Sequence, residues 1–511
     1  MKLKTLTTAM ILATVPMTGA FAAAMDRSGQ SIAAFLQPGN YFEAGISVLD
    51  PTVSGKEAGE TPARRNINDM AGDYYFPSAA LKLQPTSKFS FGILYDQPFG
   101  AEAEYTGNNA FVSQPTDTIL PQPLLDGLVA NQVDATLGDL SSTELVGLAA
   151  QGLVAQQGIA PDDPTYATAV SNTITGIITQ AGGDVDAAAE AVLPQVREGA
   201  LAQGQAQLAE TLEGIPLGTG NTKVDVQTQN LTFLFGFQPN ENWNIYAGPV
   251  YQTVKGTVSL RGQAYSIFNG YDATMKETGD LGWLAGVAFQ IPDIALKASV
   301  TYRSEIDHEA DTTEQLSAAA GFGLVGVNPA DIVGTQGVTK ITTPQSVNLD
   351  FQTGVMANTV AFANVRWVDW SNFAIRPYQF GLASEAVGQL PAVNRPNGFN
   401  LVEYSDDQIS ATVGVGRKFN DLWAGNLSVG WDSGAGNPVS TLGPTEGYWN
   451  VGLGLQYSPT PATFIAGGVK YFWLGDAKSQ TAAQVGEDNR IVGDFQDNHA
   501  IAYGLKMGYR F

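Results

Sequence analysis

Large apolar residues recur at every second position over long stretches of the chain. In the last eleven residues, IAYGLKMGYRF, Ile501, Tyr503, Leu505, Met507, Tyr509 and Phe511 alternate with Ala502, Gly504, Lys506, Gly508 and Arg510. WNVGLGLQY puts Trp449, Val451, Leu453, Leu455 and Tyr457 on one face and Asn450, Gly452, Gly454 and Gln456 on the other. In IALKASVTYRSEID, Ile294, Leu296, Ala298, Val300, Tyr302 and Ile306 oppose Lys297, Ser299, Thr301, Arg303, Glu305 and Asp307. A period of two belongs to a strand, whose successive side chains point to opposite faces. Fourteen segments keep it: 41–50, 74–84, 88–99, 224–238, 243–260, 279–291, 293–308, 346–356, 359–371, 401–419, 422–433, 448–458, 462–475 and 499–511.

The connections alternate too. QPTSK, QPNEN, Pro292-Asp293, Ala357-Asn358, Asn420-Asp421 and SPTPA are tight turns, and the connections between them are long and polar. An even strand number with short turns on one side and long loops on the other describes an outer-membrane barrel. A soluble sandwich shares the period. It does not share a second face rich in Gly, Ser, Thr, Asn and Lys in nearly every strand, or aromatic residues gathered near strand ends such as Trp243, Trp423, Tyr457 and Trp473. The predicted fold is therefore all-β, a 14-stranded antiparallel transmembrane β-barrel.

Three regions depart from the alternation. Residues 1–24, with Lys2 and Lys4 before the apolar run Met10 to Val15 and the small residues Ala20 to Ala24, predict a secretory signal peptide. Residues 25–40 precede the barrel (41–511), are too short for a domain, and predict a lumenal hatch or plug. Residues 101–223 predict a long, partly helical extracellular loop. Ser141-x-x-Glu144 is a capping box, Pro164 opens a second helix, and a third stops at Gly214-Ile215-Pro216. Gly152, Pro194 and Gly204 predict that these helices are interrupted.

Composition narrows the partners. A net charge of −23 argues against nucleic acid, whose phosphates need a basic footprint, and zero cysteines exclude disulfides and thiolate chemistry. His308 and His499 are the only histidines and neither has a local serine partner, which predicts no enzyme, no metal and no cofactor. Their residue types favour surface or hydrogen-bonded loop histidines.

FGILYDQPFGAEAEY (91–105), SVTYRSEIDHEAD (299–311), TPQSVNLDF (343–351), VRWVDWSNF (365–373) and GYWNVGLGLQYSPT followed by GGVKYFWLGDA give the chain a name by likeness. It resembles the FadL family of outer-membrane transporters for long-chain fatty acids and other hydrophobic molecules. The resemblance implies a barrel plugged by its N-terminal segment, ligand capture between loops, and sideways exit at a kink in the third strand. That strand is FSFGILYDQPFG, and Pro98, Phe99 and Gly100 form the implied lateral gate; on its residues alone, Pro98 equally marks the strand's upper end. Where the family's hatch has Asn-Pro-Ala, this chain has Gln37, Pro38, Gly39 and Asn40.

A fatty-acid carboxylate calls for a cation in the lumen. Lys297, Arg303, Arg366, Lys470, Lys506 and Arg510 face inward by parity, and Arg303 and Arg366, with Lys470, are the candidate carboxylate ligands because arginine presents a bidentate fork. Pairing of Arg303 with Glu305 and Asp307 on the same face is the competing role. Candidate capture residues are Leu124, Leu125, Leu128 and Val129 in the long connection and Phe322, Leu324 and Val325 after the seventh strand, or else these build small loop cores. The expected function is passive uptake of hydrophobic molecules, foremost long-chain fatty acids, by a single barrel, a monomer, in contact with outer-membrane lipid and lipopolysaccharide. An aromatic-hydrocarbon carrier and a surface adhesin or structural barrel are the alternatives. The terminal Phe511 resembles the signal read by outer-membrane assembly machinery.

Overall fold

The computed structural model describes residues 25–59, 64–120, 122–391, 393–484 and 490–511, without the side chains of Pro123, Leu124 and Val325. The expected signal peptide lies outside the described residues. They form two compact units, one of residues up to 117 and from 218 onward, the other Thr118–Leu217.

The first unit is a closed antiparallel barrel. Its strands are β1 (Tyr41–Thr52), β2 (Tyr74–Leu83), β3 in two pieces (Phe89–Asp96 and Gly100–Glu104), β4 (Lys223–Asn240), β5 (Trp243–Leu260), β6 (Tyr271–Ile291) and β7 in two pieces (Leu296–Arg303 and Ile306–Leu316). They continue with β8 (Ser346–Met356), β9 (Thr359–Val368), β10 (Gln408–Lys418), β11 (Trp423–Asp432), β12 (Tyr448–Tyr457), β13 (Thr463–Leu474) and β14 (His499–Arg510). Each pairs with its neighbour in sequence, and β14 pairs with β1 from Tyr41↔Arg510 to Thr52↔His499, so the sheet closes on itself.

The alternation becomes the two faces of this wall. On β12, Val451, Leu453 and Leu455 are exposed to the outside while Asn450 and Gln456 are buried within. No helix among the described residues is long and apolar enough to cross a membrane, so the crossing elements are the strands. Outward aromatics pair at the strand ends: Trp243 with Phe289, Trp423 with Tyr457, and Tyr509 with Phe511 near the tight turns, and Trp283 with Tyr302 and Tyr471 with Trp473 toward the other rim.

Residues 25–40 lie inside the barrel. Ile32, Ala34, Phe35 and Leu36 form one buried cluster with wall residues including Leu94, Leu234 and Tyr246. Two glycines shape the socket for Phe35, since a Cβ on Gly92 would come within 2.5 Å of its ring and one on Gly236 within 2.9 Å. Lys82 and Lys297 then donate to the carbonyls of Gln37 and Leu36. Gln37, Pro38, Gly39 and Asn40 are the turn into β1: Gly39 takes a positive φ of 70° and donates to Gln84, whose own amide donates to Asn40.

Two strands depart from the expected pattern. β3 does not end at Pro98 but resumes at Gly100. β7 breaks at Ser304–Glu305, and beyond the break the parity reverses: Ile306, His308 and Ala310 are buried while Glu305 and Asp307 are exposed. Glu305 and Asp307 therefore do not share Arg303's face. The pairing of β7 with β6 stops at Arg303↔Leu284 and resumes at Thr312↔Met275. In between, buried His308 reaches Gln252 of β5 at 3.0 Å and Asp280 of β6 at 3.6 Å, so it is a lumenal residue and not a surface one.

The second unit is a helical bundle of α1 (Gln122–Gly138), α2 (Ser142–Gln156), α3 (Tyr166–Gln180) and α4 (Val185–Glu213). The capping box at Ser141 and Glu144 forms as expected. α2 and α4 run unbroken through Gly152, Pro194 and Gly204, contrary to expectation; Gly204 is where α4 packs closely on α1, since a Cβ there would come within 2.7 Å of Val129. Val129, Val133 and Leu137 form a core with Val196, Leu201 and Leu208.

Overpacking the plug's socket tests this arrangement. Gly92→Val should destabilise the purified barrel by about 1–3 kcal/mol in urea melts, the usual cost of a forced shift in a filled core. Gly467→Ala, whose nearest neighbour atom stands at 3.5 Å, should leave the midpoint unchanged.

Candidate functional site

The third strand carries the main irregularity of the wall. Its first piece pairs with β4 from Phe89↔Phe237 to Asp96↔Asn230, its second from Gly100↔Gln227 to Glu104↔Lys223. Between them Gln97, Pro98 and Phe99 oppose only Gln229 and Thr228, which is a β-bulge, placed where proline has no amide to give the ladder. On the other side, pairing of β3 with β2 ends at Tyr95↔Ala79, so Tyr74–Ser78 keep their partners on β1 and have none on β3.

The N-terminal segment satisfies the bulge from within. Arg27 N–H donates to the Pro98 carbonyl at 2.7 Å and Gly100 N–H to the Met25 carbonyl at 2.9 Å, with Asp26 and Phe99 forming an antiparallel bridge. Thr228 Oγ1 accepts from Phe99 N–H at 2.9 Å and donates to its carbonyl at 2.7 Å. The Phe99 side chain turns inward against Trp370, at 5.4 Å between ring centroids, and Trp370 also meets Phe373 and Tyr404.

A buried ion pair fixes the same segment. Arg366 of β9 donates from Nε to Asp26 at 2.6 Å, from Nη1 to Asn348 at 2.7 Å and from Nη2 to Gln30 at 3.0 Å, and Asn348 donates onward to the Gly29 carbonyl. Arg366 thus holds the protein's own carboxylate where a ligand's was expected. Asp26 lies 340 positions away in sequence, beyond the reach of any local pattern.

Below the bulge lies a lumenal cavity of about 240 Å³. Arg27, Lys297, Arg303, Lys470 and Lys506 border it, with Glu43, Asp96 and Asp350 as its acids. Several of these are committed: Lys506 to Glu43 at 3.4 Å, Asp96 to Ser28 at 2.7 Å, Asp350 to Asn364 at 2.8 Å. Arg303 is buried, and its Nη1 has no hydrogen-bond partner among the described residues. The cavity extends to Phe76, Pro77, Tyr95 and Gln97, so it reaches the unpaired edge of β2. A much smaller apolar cavity, about 10 Å³, lies on the other side of Phe99 between Met25, Val254, Ile341 and Trp370.

The candidate capture residues are mostly turned inward. Leu125 and Phe322 are fully buried, Leu128 and Leu324 half-buried, and the side chains of Leu124 and Val325 lie outside the described residues. Sequence reasoning missed a second aromatic cluster, Phe268, Tyr271, Phe380 and Phe399, whose rings meet at 4.8 to 5.9 Å. Its one visible signal is the density of aromatics in GQAYSIFNGY and PYQFG.

A sequence model of the family described as outer membrane protein transport protein (OMPP1/FadL/TodX) matches residues 210–511. No curated protein matches the chain. Among solved structures, a Pseudomonas aeruginosa FadL homologue aligns with a TM-score of 0.56 at 12% identity over 96% of each chain. The Pseudomonas putida toluene transporter TodX aligns with a TM-score of 0.51 at 10% identity over 98% of each chain. These likenesses establish the shared fold.

Removing one member of the buried pair should cost more than removing both. Arg366→Met alone strands Asp26 and should destabilise the barrel by about 3–5 kcal/mol, while Arg366→Met with Asp26→Leu should recover most of that loss in urea melts.

Proposed function

The chain belongs to the outer membrane protein transport protein family (OMPP1/FadL/TodX) and resides in the bacterial outer membrane, and from that premise we propose that it is a passive channel for hydrophobic molecules, with long-chain fatty acids as its ligands. The supporting observation is the position of the cation-bordered cavity, which holds Arg303 and reaches the unpaired edge of β2. Such a site suits a molecule with an anionic head and an apolar tail. Arg303 takes the carboxylate through its unengaged Nη1, Lys470 on the same cavity wall adds a second positive charge, and the tail passes between β2 and β3 into the hydrocarbon layer. Arg366 belongs to the anchor of the plug instead.

Pro98, Phe99 and Gly100 are the gate in this reading, because the bulge at these residues is what separates β3 from β2. Residues 25–40 are the hatch, and Gln37 to Asn40 are its hinge to the wall. Phe322 and Leu125 serve as small cores that shape their own loops, and Leu128 in one unit and Leu324 in the other are each left as a separate capture candidate. The exposed ring of Phe511, whose amide donates to Asn40, is free for the assembly machinery.

Two measurements bear on this. Arg303→Ala should lower uptake of labelled oleate about tenfold, the weight of one charge-assisted hydrogen bond, and leave toluene uptake unchanged; equal loss of both would remove Arg303 from ligand binding. A reducible bifunctional cross-link between Pro77→Cys and Gln97→Cys, in a chain without native cysteine, should stop oleate uptake until it is cleaved. Continued uptake through the cross-linked barrel would eliminate the lateral route.

A further inference from the structure

The gap between β2 and β3 is occupied by two side chains. With regular pairing, Tyr74 of β2 would sit opposite Gly100. Instead its hydroxyl donates to the Glu102 carbonyl at 2.6 Å and accepts from Glu102 N–H at 2.9 Å, so Tyr74 closes the end of the gap just before backbone pairing resumes at Ala71↔Ala103. The Arg27 guanidinium lies on the Tyr74 ring, with Cζ 3.5 Å from the centroid. A Cβ on Gly100 would come within 3.2 Å of the same Cζ, so glycine leaves the room the guanidinium fills. Arg27 also borders two cavities, the large one described above and a second of about 40 Å³ between Leu49, Met70, Tyr74, Gly100 and Leu442. Leu49 is the other residue that borders both.

We propose that Arg27 is a specificity-determining latch: stacked on Tyr74 it closes the gap between β2 and β3, and the carboxylate of an anionic amphiphile draws it off the ring. This rests on the reading of the large cavity as the route of a carboxylate-headed ligand. The exchange runs in the right direction because a guanidinium binds a carboxylate through two parallel charge-assisted hydrogen bonds, a stronger contact than the face of a tyrosine. An alcohol or a hydrocarbon offers no such replacement, so it crosses the gap more slowly, only when the stack opens unaided. Glu102 and Asp225 are the acids whose charge acts on Arg27, and both belong to the wall, so they return the side chain to its place after the ligand leaves. The backbone of Arg27 stays fixed throughout by its bond to Pro98, which confines the movement to the side chain.

The test compares uptake of labelled oleate, oleyl alcohol and toluene by cells lacking the gene and supplied with each variant. The wild type should prefer oleate to oleyl alcohol by about tenfold, and Arg27→Ala should bring that ratio to within about twofold by raising the flux of the alcohol. Tyr74→Leu, which removes the ring and keeps the charge, should act the same way and serves if Arg27→Ala fails to assemble. A ratio unchanged in both variants overturns the latch. Wild-type cells that take up oleate no faster than cells without the gene overturn the fatty-acid reading; in that case a faster toluene flux through Arg27→Ala than through wild type still supports the latch, and equal fluxes overturn it.

Discussion

In hydrocarbon an unpaired peptide group costs several kcal/mol, and no water is present to relieve it. A barrel can therefore open its wall only where something other than the next strand satisfies the backbone. Here the main exception centres on one proline. Pro98 removes a donor, the chain bulges inward, and the amides and carbonyls freed at Pro98, Phe99 and Gly100 bond to Met25, Arg27 and Thr228. The N-terminal segment is thus part of the wall's hydrogen bonding as well as the filling of the lumen. That double duty explains why it is held so firmly, by Arg366 at one end and by Lys82 and Lys297 at the other.

Charge is distributed to the same end. The chain as a whole is strongly acidic, yet cations outnumber acids around the lumenal cavity. Lys297 of this set, and Lys82 outside the cavity lining, bind carbonyls of the plug and so orient the segment. The field inside the barrel stays attractive to an anion although the surface is not. Glu43 offsets one of these cations by pairing with Lys506, and Asp96 accepts from the Ser28 hydroxyl.

The wall was largely legible before the structure because it follows a single rule. Period two, applied residue by residue, places the fourteen strands, and β5 and β8 agree with their expected bounds to the residue. The rule fails where a strand changes face without ending: nothing in RSEID announces that β7 breaks at Ser304, so Glu305 and Asp307 were assigned to the wrong side. It says as little about the helices, where Pro194 and Gly204 read as breaks until the packing of α4 against α1 is known. The candidate site was legible by residue type and not by partner. Arg303, Lys470 and Arg366 do face inward, but Arg366 meets Asp26 through the fold, and Arg27 and Tyr74 carry no motif at all.

A channel with no energy source must avoid deep wells. Each methylene moved from water into an apolar site gains about 0.8 kcal/mol, so a fully apolar tunnel would hold a long tail more tightly than a slow carrier could release. The large cavity departs from that extreme, since serine, threonine and asparagine share its wall with Leu94 and Phe76. A tail lying there is only partly desolvated, and the hydrocarbon beyond the gap offers it more. For the proposed fatty-acid ligand the head is then the part that needs persuading, and of the cations around the cavity Arg27 stands at the gap itself. In the proposed reading, binding and exit lie side by side, and a carboxylate stays within reach of a positive charge until the tail has left.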